Sequence, residues 1–307
     1  MKYYIGIDTS NYTTSVAVTD ETGKLISDER ILLSVEQGKR GLRQSDALFL
    51  HLKNLPKLFE RFSSNGEIAA VGVSNAPRRT EQSYMPVFLA GINCAKAIAA
   101  THHIPLYEFS HQEGHIRAAL IGQPEPYPQE FYAVHLSGGT TEILSVRHEA
   151  NRYHANILGS AQDISAGQLI DRIGVRLGLQ FPCGKALELL SEKALAPVSF
   201  KLSVKGTDIS FSGIEAQAMR AIEAGENAEN IAKGTLLAIS ASLAKAFEVL
   251  FKKHGKKPLL LAGGVASNRL LRAELSMAFG TLLHFSAPHY ATDNAVGIAY
   301  LAKEQKS

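Results

Sequence analysis

The sequence predicts an α/β chain built as a two-lobed nucleotide-binding fold, and three observations carry that expectation. The first is a set of three turns, far apart, each placed after a strand-like run. Asp8-Thr9-Ser10-Asn11 follows Tyr3-Tyr4-Ile5-Gly6-Ile7, Ser137-Gly138-Gly139-Thr140-Thr141 follows Phe131-Tyr132-Ala133-Val134, and Gly263-Gly264-Val265-Ala266-Ser267-Asn268 follows Leu259-Leu260-Leu261. Turns of this kind bring backbone N–H groups close to a phosphate or nucleoside. The second is length: 307 residues are too many for one ordinary core and favour two domains. The third is an order of elements that occurs twice.

The first pass opens with a β-meander. Tyr3–Ile7, Thr14–Thr19 and Lys24–Ile31 are β-rich, and Asp20-Glu21-Thr22-Gly23 turns the last two. Leu48, Leu52, Leu55, Leu58 and Phe62 recur at helical spacing over 45–62. A short buried strand (69–74), an alanine-rich helix (87–101) and an extended piece from Pro105 complete this half. The second pass repeats the plan. Strands at 131–136 and 142–147 flank the Ser-Gly-Gly turn, and 152–158 is a third. Helices are expected at 165–177 and 232–254, then a strand at 259–261, a helix at 267–279, a strand at 282–285 and a closing helix at 292–303. No repeat recurs at fixed sequence period. The element order alone describes the duplication of the actin/Hsp70/sugar-kinase (ASKHA) fold, with two RNase H-like domains. The expected domains are 1–108, with a closing helix at about 293–307 packing back on it, and 109–292, with a helical insertion at about 160–230.

Composition sets wider bounds. Hydrophobic residues make up 45% and charged residues 20%, as in ordinary globular proteins. A net charge of +3 argues neither for nor against nucleic acid. The one dense basic run, 252–257, reads as a solvated loop between a helix and a strand. Cys94 and Cys183 are the two cysteines and form no CxxC, which gives no support to a disulfide framework or a zinc ribbon. No basic-then-apolar leader precedes the strand at Lys2, and no apolar run reaches the length of a membrane span. The expected location is cytoplasmic.

Two imidazoles at i and i+4 in His111-Gln112-Glu113-Gly114-His115 share one face of a helix. That spacing suits a divalent transition metal completed by a carboxylate from elsewhere. Glu113 points to a different face, whereas Asp293, at a helix start after the last strand, is the better third ligand. His51, His135, His254, His284 and His289 have no partner at ligand spacing. HExxH and GxSxG are both absent, which leaves protease and α/β-hydrolase chemistry without support. At the third turn, Ser267 is a plausible N-cap and Asn268 a candidate partner for a base or ribose. Asp8, ending the first strand, is placed to orient a metal or water.

These residues together resemble the tRNA N6-threonylcarbamoyladenosine synthase (TsaD) family nearly end to end. The opening Ile5-Gly6-Ile7-Asp8-Thr9-Ser10 with Thr14–Val18 resembles the family's start, His111-x3-His115 its metal pair, and Ser137-Gly138-Gly139 its phosphate turn. Gly159–Asp163, Ala166-Gly167 and Asp171 follow its ribose-binding helix. Pro182-Cys183-Gly184 stands where the family has Pro-Gly-Gly, and Ser210–Gly213, Gly263–Asn268 and Thr292–Ala295 complete the set.

The resemblance implies a metal-dependent acyltransferase. It would move a threonylcarbamoyl or related carbamoyl group from its adenylate to N6 of adenosine 37 in tRNA. One divalent metal, iron or zinc, would be held by His111, His115 and Asp293. An ATP/ADP-type nucleotide or threonylcarbamoyl-adenylate would meet His135, Leu136, Ser137, Gly138, Gly139, Gly167, Asp171, Gly184 and Asn268, with Asp8 and Ser137 as catalytic residues. Expected partners are tRNA and other proteins of the threonylcarbamoyladenosine pathway, with no membrane. The sequence also departs from the family. Asn11-Tyr12 replaces an acidic pair, Thr140 a histidine, Gln168 a glutamate and Glu215 a lysine, while Asn75–Arg79 replaces a Gly-Pro-Gly-Leu segment. The departures point to a divergent bacterial paralogue. They also define the alternative reading, a weakly catalytic or non-catalytic nucleotide- and metal-binding homologue acting as a partner or regulatory protein.

Overall fold

The structure is a computed structural model that describes residues 1–10, 12–34, 42–62, 66–79 and 83–306. Asn11, half of the replaced acidic pair, lies outside the described residues. The chain forms two compact units, one of Met1–Ile121, His148–His154 and Thr292–Ser307, the other of Gly122–Arg147 and Ala155–Ala291.

The first unit is built on a five-stranded sheet ordered β3-β2-β1-β4-β5. β1 (Lys2–Asp8), β2 (Thr13–Asp20) and β3 (Leu25–Leu32) form the antiparallel meander, while β4 (Glu67–Ala76) runs parallel to β1 and β5 (Leu106–Ser110) parallel to β4. β1 and β2 are almost wholly buried, because helices cover the sheet and leave no face for polar alternation. α1 (Gln44–Glu60) and α2 (Phe88–His102) flank a core of Ile5, Ile7, Val16, Val18, Leu55, Leu58, Val71 and Val73. α3 (His111–Ala119) follows β5 without a loop. α9 (Val296–Lys306) packs on α3 and on β1, β2 and β4. Gly6 admits α9 at close range: a Cβ there would lie 2.4 Å from the backbone of both Ala295 and Ala299.

The second unit repeats the plan. β6 (Glu130–Leu136), β7 (Thr141–Glu149) and β8 (Arg152–Ser160) stand where β1, β2 and β3 stand in the first sheet, β11 (Leu259–Ala262) takes the place of β4, and β12 (Leu283–Phe285) that of β5. β6 is antiparallel to β7 and parallel to β11, which is parallel to β12. Ala150 and Asn151, with φ of 49° and 58°, make the two-residue turn between β7 and β8, in the 148–154 segment counted with the first unit. The helices are α4 (Ala166–Arg176), α5 (Gly184–Ser191), α6 (Ser212–Glu223), α7 (Ala228–His254) and α8 (Arg269–Phe279), with a small hairpin of β9 (Ser203–Lys205) and β10 (Asp208–Ser210).

Sequence expectations change at α7, α8 and α9, the last of which begins at Val296 and not at 292. By length and composition the 27-residue α7 qualifies as a span, contrary to the reading that no apolar run is long enough. Its apolar side is core instead: Leu236, Ile239, Leu243, Phe247 and Leu250 are fully buried among the β6, β11, α4 and α8 side chains. The helix foreseen from Ser267 begins two residues later, at Arg269. Val265–Ser267 is a 3-10 turn and Asn268 is the N-cap of α8, its side-chain oxygen accepting from the Leu271 N–H at 3.0 Å.

Candidate metal and nucleotide sites

In the first unit the chain places His111 and His115 one turn apart on α3. Ser110 ends β5 and caps α3 in a capping box: its hydroxyl accepts the Glu113 N–H, and the Glu113 carboxylate accepts the Ser110 N–H at 2.8 Å. Glu113 is 1% exposed and forms an ion pair of 3.1 Å with Arg152, whose guanidinium also lies 4.7 Å from the Phe109 ring centre. Arg79, part of the departing segment, is a second cation 3.6 Å from the same carboxylate. Both imidazoles face one way, with their rings edge to face and their Nε2 atoms 2.8 Å apart.

Asp293 arrives from 178 residues away. Its Oδ1 lies 3.2 Å from His115 Nε2 and 3.6 Å from His111 Nε2. Its loop is pinned on three sides: Asn294 bonds Thr292 and the Val296 N–H, Ser15 accepts the Ala295 N–H at 2.8 Å, and Arg30 donates to the Thr292 hydroxyl at 2.9 Å. One ligand atom from each of His111, His115 and Asp293 lies within 4.8 Å of the other two. Two imidazole nitrogens and a carboxylate oxygen converging on one point are a donor set for a divalent transition metal, so the residues fit the expected ion.

Asp8 stands behind this cluster, 1% exposed. Its Oδ2 accepts from His111 Nδ1 at 2.7 Å and from the Ser10 hydroxyl at 3.1 Å. Its Oδ1 accepts from the Ser74 hydroxyl at 2.5 Å and the Ser10 N–H at 3.1 Å. Burial alone would raise the Asp8 pKa, but His111 and the Ser74 hydroxyl outweigh it and hold the carboxyl below its ordinary value. The same contest raises His111: burial opposes the imidazolium, yet Asp8 and Asp293 lift it to about 10. Asp293 is likewise pulled well below the carboxylate range, because the two imidazoles overcome its desolvation.

The second unit gathers the expected nucleotide residues around the Ser137–Thr140 turn. The Ser137 N–H donates to the Thr140 carbonyl at 2.9 Å, and the Thr140 N–H to the Ser137 hydroxyl at 3.0 Å. Ser137 is therefore spent on shaping the turn. The Gly138 and Gly139 N–H groups have no acceptor among the described residues, and both glycines are exposed. The start of α4 abuts this turn. Ser165 donates its hydroxyl to the Gly138 carbonyl at 2.7 Å and forms a capping box with Gln168, while Thr141 accepts the Ala166 N–H at 2.9 Å. Gly167 is required for that approach, since a Cβ would fall 2.5 Å from Gly138 Cα and from the Ser137 carbonyl oxygen. Leu136 is fully buried core, leaving only its backbone for a ligand; His135 is half-buried beside it on β6. Asp171 accepts the Cys183 N–H at 2.8 Å and so ties α4 to the start of α5 at Gly184. Asn268 spends its side-chain oxygen on the α8 cap.

Of the departures, Gln168 is engaged in its capping box and Glu215 in an ion pair of 3.2 Å with Arg172. The Ser110/Glu113 and Ser165/Gln168 boxes, Arg152 and Ser74 were not singled out from sequence. The two boxes are legible there as Ser-x-x-Glu and Ser-x-x-Gln, while Arg152 and Ser74 carry no local signal.

The family profile of "TsaD: tRNA N6-adenosine threonylcarbamoyltransferase" matches residues 83–300. A tRNA N6-adenosine threonylcarbamoyltransferase of Thermus thermophilus is 32% identical over 303 residues, covering 98% of this chain and 92% of the relative. Among solved structures, the (R)-2-hydroxyglutaryl-CoA dehydratase component A of Acidaminococcus fermentans superposes with a TM-score of 0.60 at 16% identity, over 100% of this chain and 99% of the other. A ROK family glucokinase from Streptomyces griseus gives 0.55 at 12% identity, over 98% and 99%. At these identities the two structures speak to fold alone, and the fold is the actin/Hsp70/sugar-kinase type with its RNase H-like sheet duplicated. The family match and the identity along nearly the whole chain make this protein a member of the tRNA N6-adenosine threonylcarbamoyltransferase (TsaD) family.

Proposed function

We propose that this protein transfers a threonylcarbamoyl or related carbamoyl group from its adenylate to N6 of adenosine 37 in tRNA. The observation that carries the reading is the convergence of His111, His115 and Asp293, three ligand atoms within 4.8 Å of one another in a chain of this family. These three residues hold one divalent metal, iron or zinc. When bound, the metal supplies Lewis acidity toward the anhydride or phosphate of the adenylate. The Gly138 and Gly139 N–H groups donate to the anionic oxygens of the nucleotide and stabilise charge as it develops. Ser137 acts by holding that turn in shape. Gly167, Asp171, Gly184 and Asn268, with the backbone of His135 and Leu136, make up the nucleoside contacts.

Purified protein is incubated with threonylcarbamoyl-adenylate and unmodified tRNA, alone and with the other proteins of the pathway. The tRNA is then digested and its nucleosides analysed by mass spectrometry. Threonylcarbamoyladenosine that requires intact His111 and His115 is the expected product. Absence of that product in every mixture, with nucleotide binding intact, would refute the transferase reading.

A further inference from the structure

We infer that Asp8 is a positioning residue: it fixes the tautomer and ring orientation of His111 so that Nε2 is presented as a lone pair to the metal. The inference rests on the metal reading above and adds to it the group that makes His111 a ligand.

The hydrogen-bond inventory around Asp8 leaves little choice. Its carboxylate faces the Ser74 hydroxyl, the Ser10 N–H, the Ser10 hydroxyl and His111 Nδ1 at 2.5 to 3.1 Å. The Ser10 N–H can only donate. The two hydroxyls donate as well, since a carboxylate at this site accepts and never donates. Nδ1 must then carry hydrogen, and in the neutral imidazole that leaves Nε2 bare. Nε2 is the atom that faces His115 Nε2 and Asp293 Oδ1. A carboxylate behind a ligating histidine orients the ring and strengthens it as a donor. With both oxygens engaged and 1% of its surface exposed, Asp8 has no lone pair directed toward a substrate. It therefore serves the reaction through His111 and not as a general base.

The Asp8→Asn variant separates these roles because it keeps the shape and changes the donors. If its amide NH2 faces His111, it donates to Nδ1, moves the hydrogen to Nε2 and removes the ligand lone pair. If the amide faces Ser74 and the Ser10 N–H instead, it opposes an obligate donor. Zinc alone is the probe, titrated against a chromophoric chelator into metal-free wild type, Asp8→Asn, Ser74→Ala and His111→Ala. The expected pattern is loss of stoichiometric zinc in His111→Ala and a fall of about 10- to 100-fold in affinity for Asp8→Asn. Ser74→Ala, which removes one anchor of the carboxylate, falls less. In zinc-loaded wild type, long-range proton–nitrogen NMR shows His111 protonated on Nδ1; in zinc-loaded Asp8→Asn that signature weakens or is lost. Wild-type zinc affinity and an unchanged His111 signature in Asp8→Asn, with zinc lost in His111→Ala, overturn the inference and leave the metal site standing. Stoichiometric zinc retained in His111→Ala overturns both. Should Asp8→Asn not fold, Ser74→Ala decides, and wild-type affinity and NMR signature there count against the inference.

Discussion

Replacing Gly297 by alanine tests whether the contact between α3 and α9 sets the spacing of the metal ligands. α3 carries His111 and His115, and Asp293 lies three residues before α9. A Cβ at Gly297 would lie 1.9 Å from the Gly114 carbonyl oxygen, 2.7 Å from its carbonyl carbon and 2.9 Å from the Ala118 nitrogen. All three are backbone atoms, so no side chain can rotate away. The shortfall from ordinary contact, 3.4 less 1.9 Å, is about 1.5 Å, and the two helices must part by an amount of that order. Functional groups tolerate displacements of only about 0.5 Å, and Asp293 already sits 3.2 Å from its nearer imidazole. Overpacking of this kind costs about 1–3 kcal/mol, offset in part by the gain of about 1 kcal/mol when alanine replaces glycine in a helix. The expected outcome is a net loss of up to about 2 kcal/mol in unfolding free energy and a fall in zinc affinity of about 10- to 100-fold. Denaturant unfolding of the metal-free protein and chelator competition measure the two. Gly213→Ala is the control, a helical glycine on α6 with open space around its Cβ, and it should be neutral or gain up to about 1 kcal/mol. Wild-type zinc affinity and unfolding midpoint in Gly297→Ala would refute the reasoning.

Other perturbations follow from the same contacts. Gly167→Ala drives a Cβ into the Ser137-Gly138 backbone at 2.5 Å, so calorimetry should find nucleotide affinity reduced while zinc affinity is unchanged. Arg152→Ala removes the nearer cation from a Glu113 side chain that is 2% exposed; the loss of stability should be about 3 kcal/mol, and a denaturant midpoint equal to wild type would count against it. His111 has its pKa raised from 6.5 to about 10 in the metal-free protein. The stability it contributes is therefore fully present below pH 6.5 and lost as pH rises through about 10, which unfolding curves at the two ends of that window will show as a slope absent in His111→Asn. For the same reason zinc binding near neutral pH should release about one proton, detectable in weakly buffered solution.

Elements that depend on local periodicity are legible in the sequence. The i, i+4 spacing puts His111 and His115 on one face whatever else the chain does, and alternation with turn chemistry marks the strands of both meanders. The identical order of the two sheets was foreshadowed by the order of elements, because short connections leave a meander few ways to pair. Local signals were weaker between 160 and 230, where α5 and the β9–β10 hairpin are short and where these elements and α6 pack on α4 or α7. Asn268 shows how close the limit lies. The sequence marks a helix start, but only the structure decides that Asn268 and not Ser267 caps it, because the preceding residues close a 3-10 turn. No local signal says that Asp8 spends both oxygens on His111, Ser74 and Ser10, that Arg152 closes on Glu113, or that Asp293 reaches His115 across 178 residues. The reason is physical. Periodicity governs what a residue's neighbours in sequence can touch, whereas Asp293 meets His115 where Gly6, Gly114 and Gly297 let α9 lie against β1 and α3 at close range. A glycine in a sequence does not say which backbone will come close to it.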